Sequence, residues 1–156
     1  MKAEGSGHVV LKPLADAGQY KPRVRQLVYV PVYSSIYWGF DGNLTDLGIT
    51  LSIRNVSPRH TLVLHAAKYY DTDGKAVRDY VPAPSTLGPL GTAEFVIQRK
   101  DTTGGTGANF LVEWSSAEDM DEPVIEAIMM GQQGNAGVSF TSQGRALPKA
   151  SAELAR

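Results

Sequence analysis

A period-two alternation of apolar residues between positions 45 and 79 constrains the fold of this chain more than any other feature. The alternating residues are Leu47, Ile49, Leu51 and Ile53, followed by Leu62, Leu64 and Ala66. Successive side chains of a strand point to opposite faces, so each run predicts a strand with one face on a core and the other in water. Residues 55–58 (NVSP) break the first run. Asp73-Gly74 predicts a tight hairpin into a third strand at 77–81, because glycine readily takes the positive φ of such a turn.

Five further runs of β-branched, aromatic or alternating apolar residues predict five more strands. They lie at 27–33, 93–97, 110–114, 124–130 and 138–141. About eight short strands separated by turn residues, without an amphipathic helix of ordinary length, predict an all-β antiparallel fold. The connection at 82–91 (PAPSTLGPLG) is long enough to cross between two sheets. It favours a Greek-key, immunoglobulin-like β-sandwich over an up-and-down barrel.

The 156 residues suit one domain with flanking segments. Residues 1–25 are rich in Gly, Lys, Arg and Pro and predict a loose N-terminal arm, held to the body by the apolar residues 9–11. The sandwich is expected over 26–145. Residues 146–156 form a C-terminal tail whose composition permits one helical turn.

Composition excludes several kinds of function. A net charge of −1, without a basic stripe interleaved with aromatics, argues against a nucleic-acid partner. The absence of cysteine removes disulfides, thiolate nucleophiles and cysteine-ligated metal sites. No apolar run is long enough to predict a transmembrane segment. The N-terminus lacks the pattern of a secretory signal, so the expected location is the cytoplasm unless a leader has been removed.

Several short motifs resemble those of known bacterial proteins. Over 53–97 these are Arg54-Asn55-Val56-Ser57, Tyr70-Asp71-Thr72-Asp73-Gly74 and Leu87-Gly88-Pro89-Leu90-Gly91. They are similar to small envelope modules with an immunoglobulin-like sandwich. The span 27–145 more closely resembles a bacterial family catalogued as a domain of unknown function, through residues 29–37, 101–110 and 122–128. The resemblance implies a periplasmic or envelope-associated setting, usually behind a leader, and supplies no activity, ligand or cofactor.

An aromatic connection and a glycine-rich loop together predict a binding surface. The candidate residues are Tyr33, Ser34, Ser35, Tyr37, Trp38, Thr102, Thr103, Thr106 and Asn109. The rings would supply apolar contact area and the hydroxyl and amide groups would fix the orientation of a protein, peptide or glycan. In the alternative interpretation Trp38 and Phe40 close one end of the sandwich. Residues 103–107 lack the Gly-Lys-Ser/Thr of a phosphate-binding loop and predict a mobile hairpin loop.

A second hypothesis belongs to a different class: a metal-dependent hydrolase. Its candidate residues are His60, His65, Asp71 and Asp73. The segment Asp71-Thr72-Asp73-Gly74 imitates a phosphatase nucleophile loop or part of a calcium loop, but a hairpin turn explains it better. No dense His/Asp/Glu motif supports the hydrolase. We therefore expect a non-enzymatic binding module without a cofactor or metal.

One version of the binding hypothesis is self-association at a sheet edge. Pro31 within 27–33 indicates either an edge strand or a bulge, since proline cannot donate to a ladder. A second copy can pair there unless Pro31 blocks it.

Overall fold

The computed structural model describes residues 6–9, 11–39 and 41–154, with side chains from residue 11 onwards. The strands are β1 (Ser6–Val9), β2 (Lys12–Pro13), β3 (Val24–Val32), β4 (Ser35–Tyr37), β5 (Leu44–Arg54), β6 (Leu62–Tyr70), β7 (Ala76–Asp79), β8 (Ser85–Leu87), β9 (Thr92–Ile97), β10 (Ala108–Ser116), β11 (Val124–Gln133), β12 (Ala136–Gln143) and β13 (Arg145–Ala146). One short helix, α1 (Pro148–Glu153), follows. The predicted all-β class is confirmed.

Two antiparallel sheets pack face to face as a sandwich. The first has the order β1-β9-β5-β11-β12, with β4 also paired to β5. The second has the order β13-β3-β10-β6-β8-β2, with β7 also paired to β6. The segment 82–91 contains β8 and then carries the chain from the second sheet to the first, as its length predicts.

All eight predicted strands are present among the described residues. The five additional strands are β1, β2, β4, β8 and β13, each two to four residues long. Strands of this length show too few alternating positions to be recognised by periodicity.

The core lies between the inner faces of the sheets. Leu47, Ile49, Leu51 and Ile53 of β5 are at most 1% exposed, which confirms the alternation predicted for that strand. Trp114 of β10 is completely buried, and its indole N–H donates to Gln26 Oε1 at 2.9 Å. A buried indole therefore keeps its polar group satisfied at the edge of an apolar core.

One end of the sandwich is organised by a buried asparagine, Asn55, which follows β5. Its Nδ2 donates to three carbonyl oxygens, those of His60 at 2.8 Å, Gly88 at 3.0 Å and Leu87 at 3.1 Å. Its Oδ1 accepts from the backbone N–H of Ser57 at 3.0 Å. One side chain thereby joins the β5–β6 connection to the β8–β9 turn across the two sheets.

The N-terminal segment predicted as a loose arm is attached to the body over its described residues. β1 pairs with β9, β2 pairs with β8, and the N–H of Leu14 donates to the carbonyl of Pro84 at 3.0 Å. Tyr20 donates or accepts a hydrogen bond with Ser115 Oγ at 2.9 Å. Backbone pairing, which composition does not reveal, fixes these residues.

The edge of β3, expected to be open to a second copy, is covered by the chain's own C-terminal segment. β13 pairs with β3 at Val28 and Tyr29. The carbonyl of Leu27 accepts from Leu147 N at 2.9 Å, and the N–H of Leu27 donates to Ser151 Oγ at 2.8 Å. Pairing of a second copy with the 27–33 edge is thus excluded over 27–29, because those backbone groups are already bonded.

Candidate functional site

The turns rich in glycine lie together at the end of the sandwich opposite Asn55, which we call the loop end. It consists of residues 38–39, 41–43, 71–75, 101–107 and 133–136, placed together by the ladders of β5, β6, β10 and β11. The described glycines with positive φ are Gly39, Gly42, Gly74, Gly105 and Gly134. All five belong to these four turns, because the tight connections here require a backbone conformation that favours glycine.

The glycine-rich loop is held in place by two hydroxyl side chains. Ser34 is fully buried; its Oγ accepts from Gly105 N at 2.6 Å, and its N–H donates to the Gly105 carbonyl at 3.0 Å. Thr72 Oγ1 donates to the Gly104 carbonyl at 2.8 Å and accepts from Gly107 N at 2.9 Å. The prediction of a hairpin loop is wrong, since this loop joins β9 and β10, which belong to different sheets. Within the structure it is bonded to two neighbouring segments.

The predicted hairpin at the end of β6 is confirmed, and its acidic residue stabilises the turn. The Asp71 N–H donates to the Lys75 carbonyl at 3.0 Å, and Gly74 adopts a φ of +79°. Asp71 Oδ1 accepts from the N–H groups of Asp73 at 3.0 Å and Lys75 at 2.8 Å. The carboxylate that imitates a phosphatase nucleophile is therefore engaged as a turn cap.

Gly104 lies directly against the phenol of Tyr69. A Cβ built on Gly104 would be 1.8 Å from Tyr69 Oη and 2.7 Å from its Cζ. Tyr69 is 1% exposed, stacks on Phe110 with ring centroids 5.1 Å apart, and leaves Oη without a hydrogen-bond partner among the described residues. Burial raises the pKa of Tyr69 to about 12, only partly offset by the nearby Ser34 hydroxyl. Desolvation is the largest cause of this rise in pKa, and the nearby carboxylates of Asp101 and Asp71 add to it.

Replacing Tyr69 by Phe tests this assignment through the pH dependence of stability. A tyrosine with a raised folded pKa contributes stability that is fully present below its unfolded pKa of about 10 and is lost as pH rises towards 12. At pH 8 we expect the free energy of unfolding of Tyr69→Phe to be within about 1 kcal/mol of the wild-type value. Between pH 8 and pH 11 this free energy should fall by about 1 kcal/mol less in the variant than in the wild type. Urea unfolding of both proteins at the two pH values measures this. Equal losses in both proteins would contradict the assignment.

The predicted binding residues separate into exposed and buried groups. Tyr37 is 70% exposed, whereas Ser34 and Ser35 are buried and cannot orient a ligand directly. Ser34 instead holds the glycine-rich loop, a role fixed by a contact 71 positions away in sequence. Tyr33 is half-buried and packs edge-to-face on Phe140, with ring centroids 5.6 Å apart.

The remaining predicted residues lie on different parts of the loop end. Thr102 and Thr103 are exposed, and the Thr103 hydroxyl donates to Asp101 Oδ1 at 2.6 Å. Thr106 is half-buried in a 3-10 turn at Gly105–Gly107. Asn109 pairs with Pro31 and Tyr70 in the second sheet and points to the outer face of that sheet, away from Tyr37. It is therefore not part of one surface with the aromatic residues.

The exposed tip of the first sheet is a hairpin formed by β4 and the start of β5. Tyr37 lies opposite Leu44, which is 54% exposed. The pairing of β5 with β9 ends at Ile49, so this hairpin extends past the end of β9. On the other side the pairing with β11 ends at Leu47, but β11 continues to Gln133, whose side chain lies beside Gly39 of the hairpin turn. Trp38 is half-buried, and its backbone N–H donates to the Asn43 carbonyl at 3.0 Å. Phe40, expected to close the end of the sandwich with Trp38, lies outside the described residues.

Leu44 was not predicted as a binding residue. Extending the alternation of β5 backwards from Leu47 places position 44 on the outward phase, so the signal was present in the sequence. A leucine on the solvent phase, beside an exposed tyrosine, forms a small apolar surface that we call the Tyr37–Leu44 tip.

Two clefts are lined by residues other than Tyr37 and Leu44, and neither provides a buried small-molecule site at the tip. A cleft of about 130 Å³ between the sheets is lined by Arg78, Tyr80, Val96, Ile97, Gln98, Lys100 and Asp101. It is smaller than the roughly 300–1,000 Å³ typical of ligand pockets. A groove of about 590 Å³ lies elsewhere, between Pro22–Arg25 and α1.

The residues proposed for a metal-dependent hydrolase are not brought together. His60 precedes β6, whereas Asp71 and Asp73 follow its other end, and a nine-residue strand spans roughly 30 Å. Among the described residues no group of three or more His, Cys, Asp or Glu side chains could hold a metal ion. The hydrolase hypothesis therefore lacks its site.

His65 takes part in a different cluster, on the outer face of the second sheet. Its Nε2 lies 2.6 Å from Ser115 Oγ, which also bonds Tyr20. Burial lowers the pKa of His65, with Glu113 acting to raise it and Arg25 to lower it. Ser115 is completely buried, so this serine–histidine pair cannot reach a substrate and instead fastens the N-terminal segment.

Two antiparallel sheets packed face to face, with a hairpin tip exposed at one end, define an all-β sandwich domain. The chain belongs to the family described as "Protein of unknown function (DUF3124)", whose model matches residues 25–147. A crystal structure of a protein described as Thermotoga maritima 1070 is similar over 77% of this chain and 92% of its own, with 11% identity and a TM-score of 0.45. The comparison with curated proteins gives no match. The helical residues in the described ranges fall short of the length and apolarity needed to cross a membrane.

Proposed function

We propose that this protein is a non-enzymatic binding module that docks a protein partner through the Tyr37–Leu44 tip. The observation that carries the proposal is the pairing of a 70% exposed tyrosine with a 54% exposed leucine on the hairpin formed by β4 and the start of β5. Tyrosine supplies a large ring and a polar group at low entropic cost, which suits it to the centre of an interface. An exposed pair of apolar side chains on a hairpin fits a pocket on a partner's surface better than it encloses a peptide or a glycan.

The support beneath the tip favours a preorganised surface. Leu47 N–H donates to the Ser34 carbonyl at 2.9 Å, which continues the β4–β5 pairing into the body. Ser34 in turn bonds Gly105, so the glycine-rich loop supports the base of the hairpin. A tip held in its bound geometry loses less conformational entropy on association. The exposed hydroxyls of Thr102 and Thr103, on the same loop, would form the polar rim.

The proposed setting is the bacterial cell envelope, periplasmic or envelope-associated. The similarity of 53–97 to small envelope modules supports this setting. The serine–histidine pair beneath Tyr20 is inaccessible, and the residues of the hydrolase alternative lie far apart, so a purely binding role accounts better for the exposed groups.

Photo-crosslinking from position 37 identifies the partner, and substitutions at the tip test the proposal. Tyr37→Ala/Leu44→Ala is expected to weaken binding of the purified partner at least 30-fold, corresponding to about 2 kcal/mol for a truncated interface centre. Tyr29→Ala/Leu90→Ala is a matched control, because it removes the same two residue types at exposed positions elsewhere. Biolayer interferometry measures both. Unchanged affinity for the tip variant, or an equal loss in the control, would refute the proposal.

A further inference from the structure

The first sheet ends at β12, one side of which pairs with no other strand of the described residues. β12 comprises eight residues, AGVSFTSQ, without a charged side chain or a proline. The bond from Gly144 N to the Ile125 carbonyl fixes the phase of the β11–β12 ladder. Because hydrogen-bonded pairs alternate in an antiparallel ladder, every second residue of β12 directs its N–H and C=O away from β11. These outward residues are Gly137, Ser139, Thr141 and Gln143.

The other strands at the sheet margins of the described residues carry features that discourage pairing with another chain. β2 consists of Lys12–Pro13, β13 consists of Arg145–Ala146, β4 has three residues, and β1 and β7 are four-residue strands with irregular register. Short length, charge, proline and bulges are the usual protection of sheet edges. β12 has eight residues, at least twice as many as any of these strands, and it contains no charged residue, proline or bulge. An edge left in this state indicates an interaction surface.

We propose that β12 is a homodimer interface, where it pairs antiparallel with β12 of a second copy about a two-fold axis beside Phe140. The outward residues dictate this register, because reversing the strand about position 140 places Gly137 opposite Gln143 and Ser139 opposite Thr141. Every backbone N–H and C=O group of these four residues then has a hydrogen-bond partner in the second copy. Each copy contributes four N–H and four C=O groups, so the full register forms eight intermolecular hydrogen bonds.

A second copy fits this edge better than an unrelated strand does. Phe140 faces its own counterpart in a non-hydrogen-bonded pair, where side chains approach most closely and aromatic pairs are favourable. The two residues on either side of the axis are Ser139 and Thr141. Their side chains are exposed and small enough for two backbones to approach. The strand is uncharged and the chain carries a net charge of only −1, so two copies meet little electrostatic repulsion.

The dimer has a defined consequence for the loop end. Antiparallel pairing about this axis reverses the strand direction between copies, so the two Tyr37–Leu44 tips point in opposite directions. Such a dimer would present one tip at each end of a continuous sheet. The dimer itself does not depend on the proposed function of the tip.

Sedimentation of the purified chain over a range of concentrations tests the dimer. We expect the mass of two chains at micromolar concentrations and at least a 10-fold higher dimer dissociation constant for Ser139→Lys/Thr141→Lys, which places lysine opposite lysine. Ala17→Lys/Gln19→Lys adds the same charges at an exposed turn and should dimerise as the wild type does. Circular dichroism verifies that the variants fold. A wild-type monomer at 1 mM, or an unchanged dimer in the edge variant, would overturn the proposal.

Cysteine crosslinking tests the register, because the chain contains no cysteine of its own. Ser139→Cys and Thr141→Cys proteins, mixed and oxidised, should form a disulfide-linked dimer, since the two positions face each other with Cα atoms about 5.5 Å apart. Either variant alone places its cysteines diagonally and should crosslink at least several-fold less. Equal crosslinking of the single variants and the mixture would refute this register.

Discussion

Asn55→Asp is expected to destabilise the protein by about 3–5 kcal/mol, although it exchanges one amide nitrogen for an oxygen. Asn55 is 2% exposed, and its Nδ2 donates to three carbonyl oxygens. An aspartate has no N–H to offer, so it would place a buried negative charge against three oxygen atoms. Such a loss is a large share of the roughly 5–15 kcal/mol that stabilises a typical domain.

Urea unfolding with a matched exchange isolates this effect. Asn135→Asp makes the same chemical change at an exposed turn and should alter the free energy of unfolding by less than about 0.5 kcal/mol. Asn55→Ala should also be strongly destabilising, because it leaves the carbonyls of His60, Leu87 and Gly88 without their donor. If Asn55→Asp remained within 1 kcal/mol of the wild type, Asn55 could not be the group that holds this end of the sandwich together.

Periodicity predicted the strands because burial of one face imposes a period of two wherever a strand is long enough. Within β6, however, the predicted inward and outward positions are interchanged after residue 64. The register with β10 shifts at His65, an extra residue that makes a bulge. As a result Ala67 and Tyr69 belong to the core cluster, whereas Ala66 is buried but outside that cluster. A bulge inserts one residue without altering composition, so the pattern Leu62, Leu64, Ala66 is continued one step too far.

The site was harder to predict because its support comes from distant parts of the chain. Residue types indicated Tyr37 as a candidate binding residue, and the structure places it 70% exposed. They could not reveal that Ser34 is buried against Gly105, since that contact depends on β9 and β10 lying in different sheets. Asn109 was grouped with the aromatics by its nearness to the glycine-rich loop in sequence, but β10 turns its side chain to the outer face of the second sheet.

Gly104→Ala is expected to destabilise the protein by about 3 kcal/mol, at the upper end of the cost of overpacking a core. The new methyl group would lie 1.8 Å from Tyr69 Oη and 2.9 Å from Ala108 Cβ. Tyr69 cannot easily move away because its ring is buried and stacked on Phe110. Gly18→Ala is the control, since a Cβ there meets nothing within 4 Å and its φ is not positive.

Combining Gly104→Ala with Tyr69→Phe distinguishes a local collision from a general loss of loop flexibility. Phenylalanine removes the atom that is struck first, and the lost hydroxyl forfeits no hydrogen bond because Tyr69 Oη has no partner among the described residues. The double variant should therefore be at least 1 kcal/mol more stable than the sum of the single changes predicts, as measured by urea unfolding in a double-mutant cycle. Additive changes would mean that the glycine is required for its backbone freedom rather than for the close approach of the phenol.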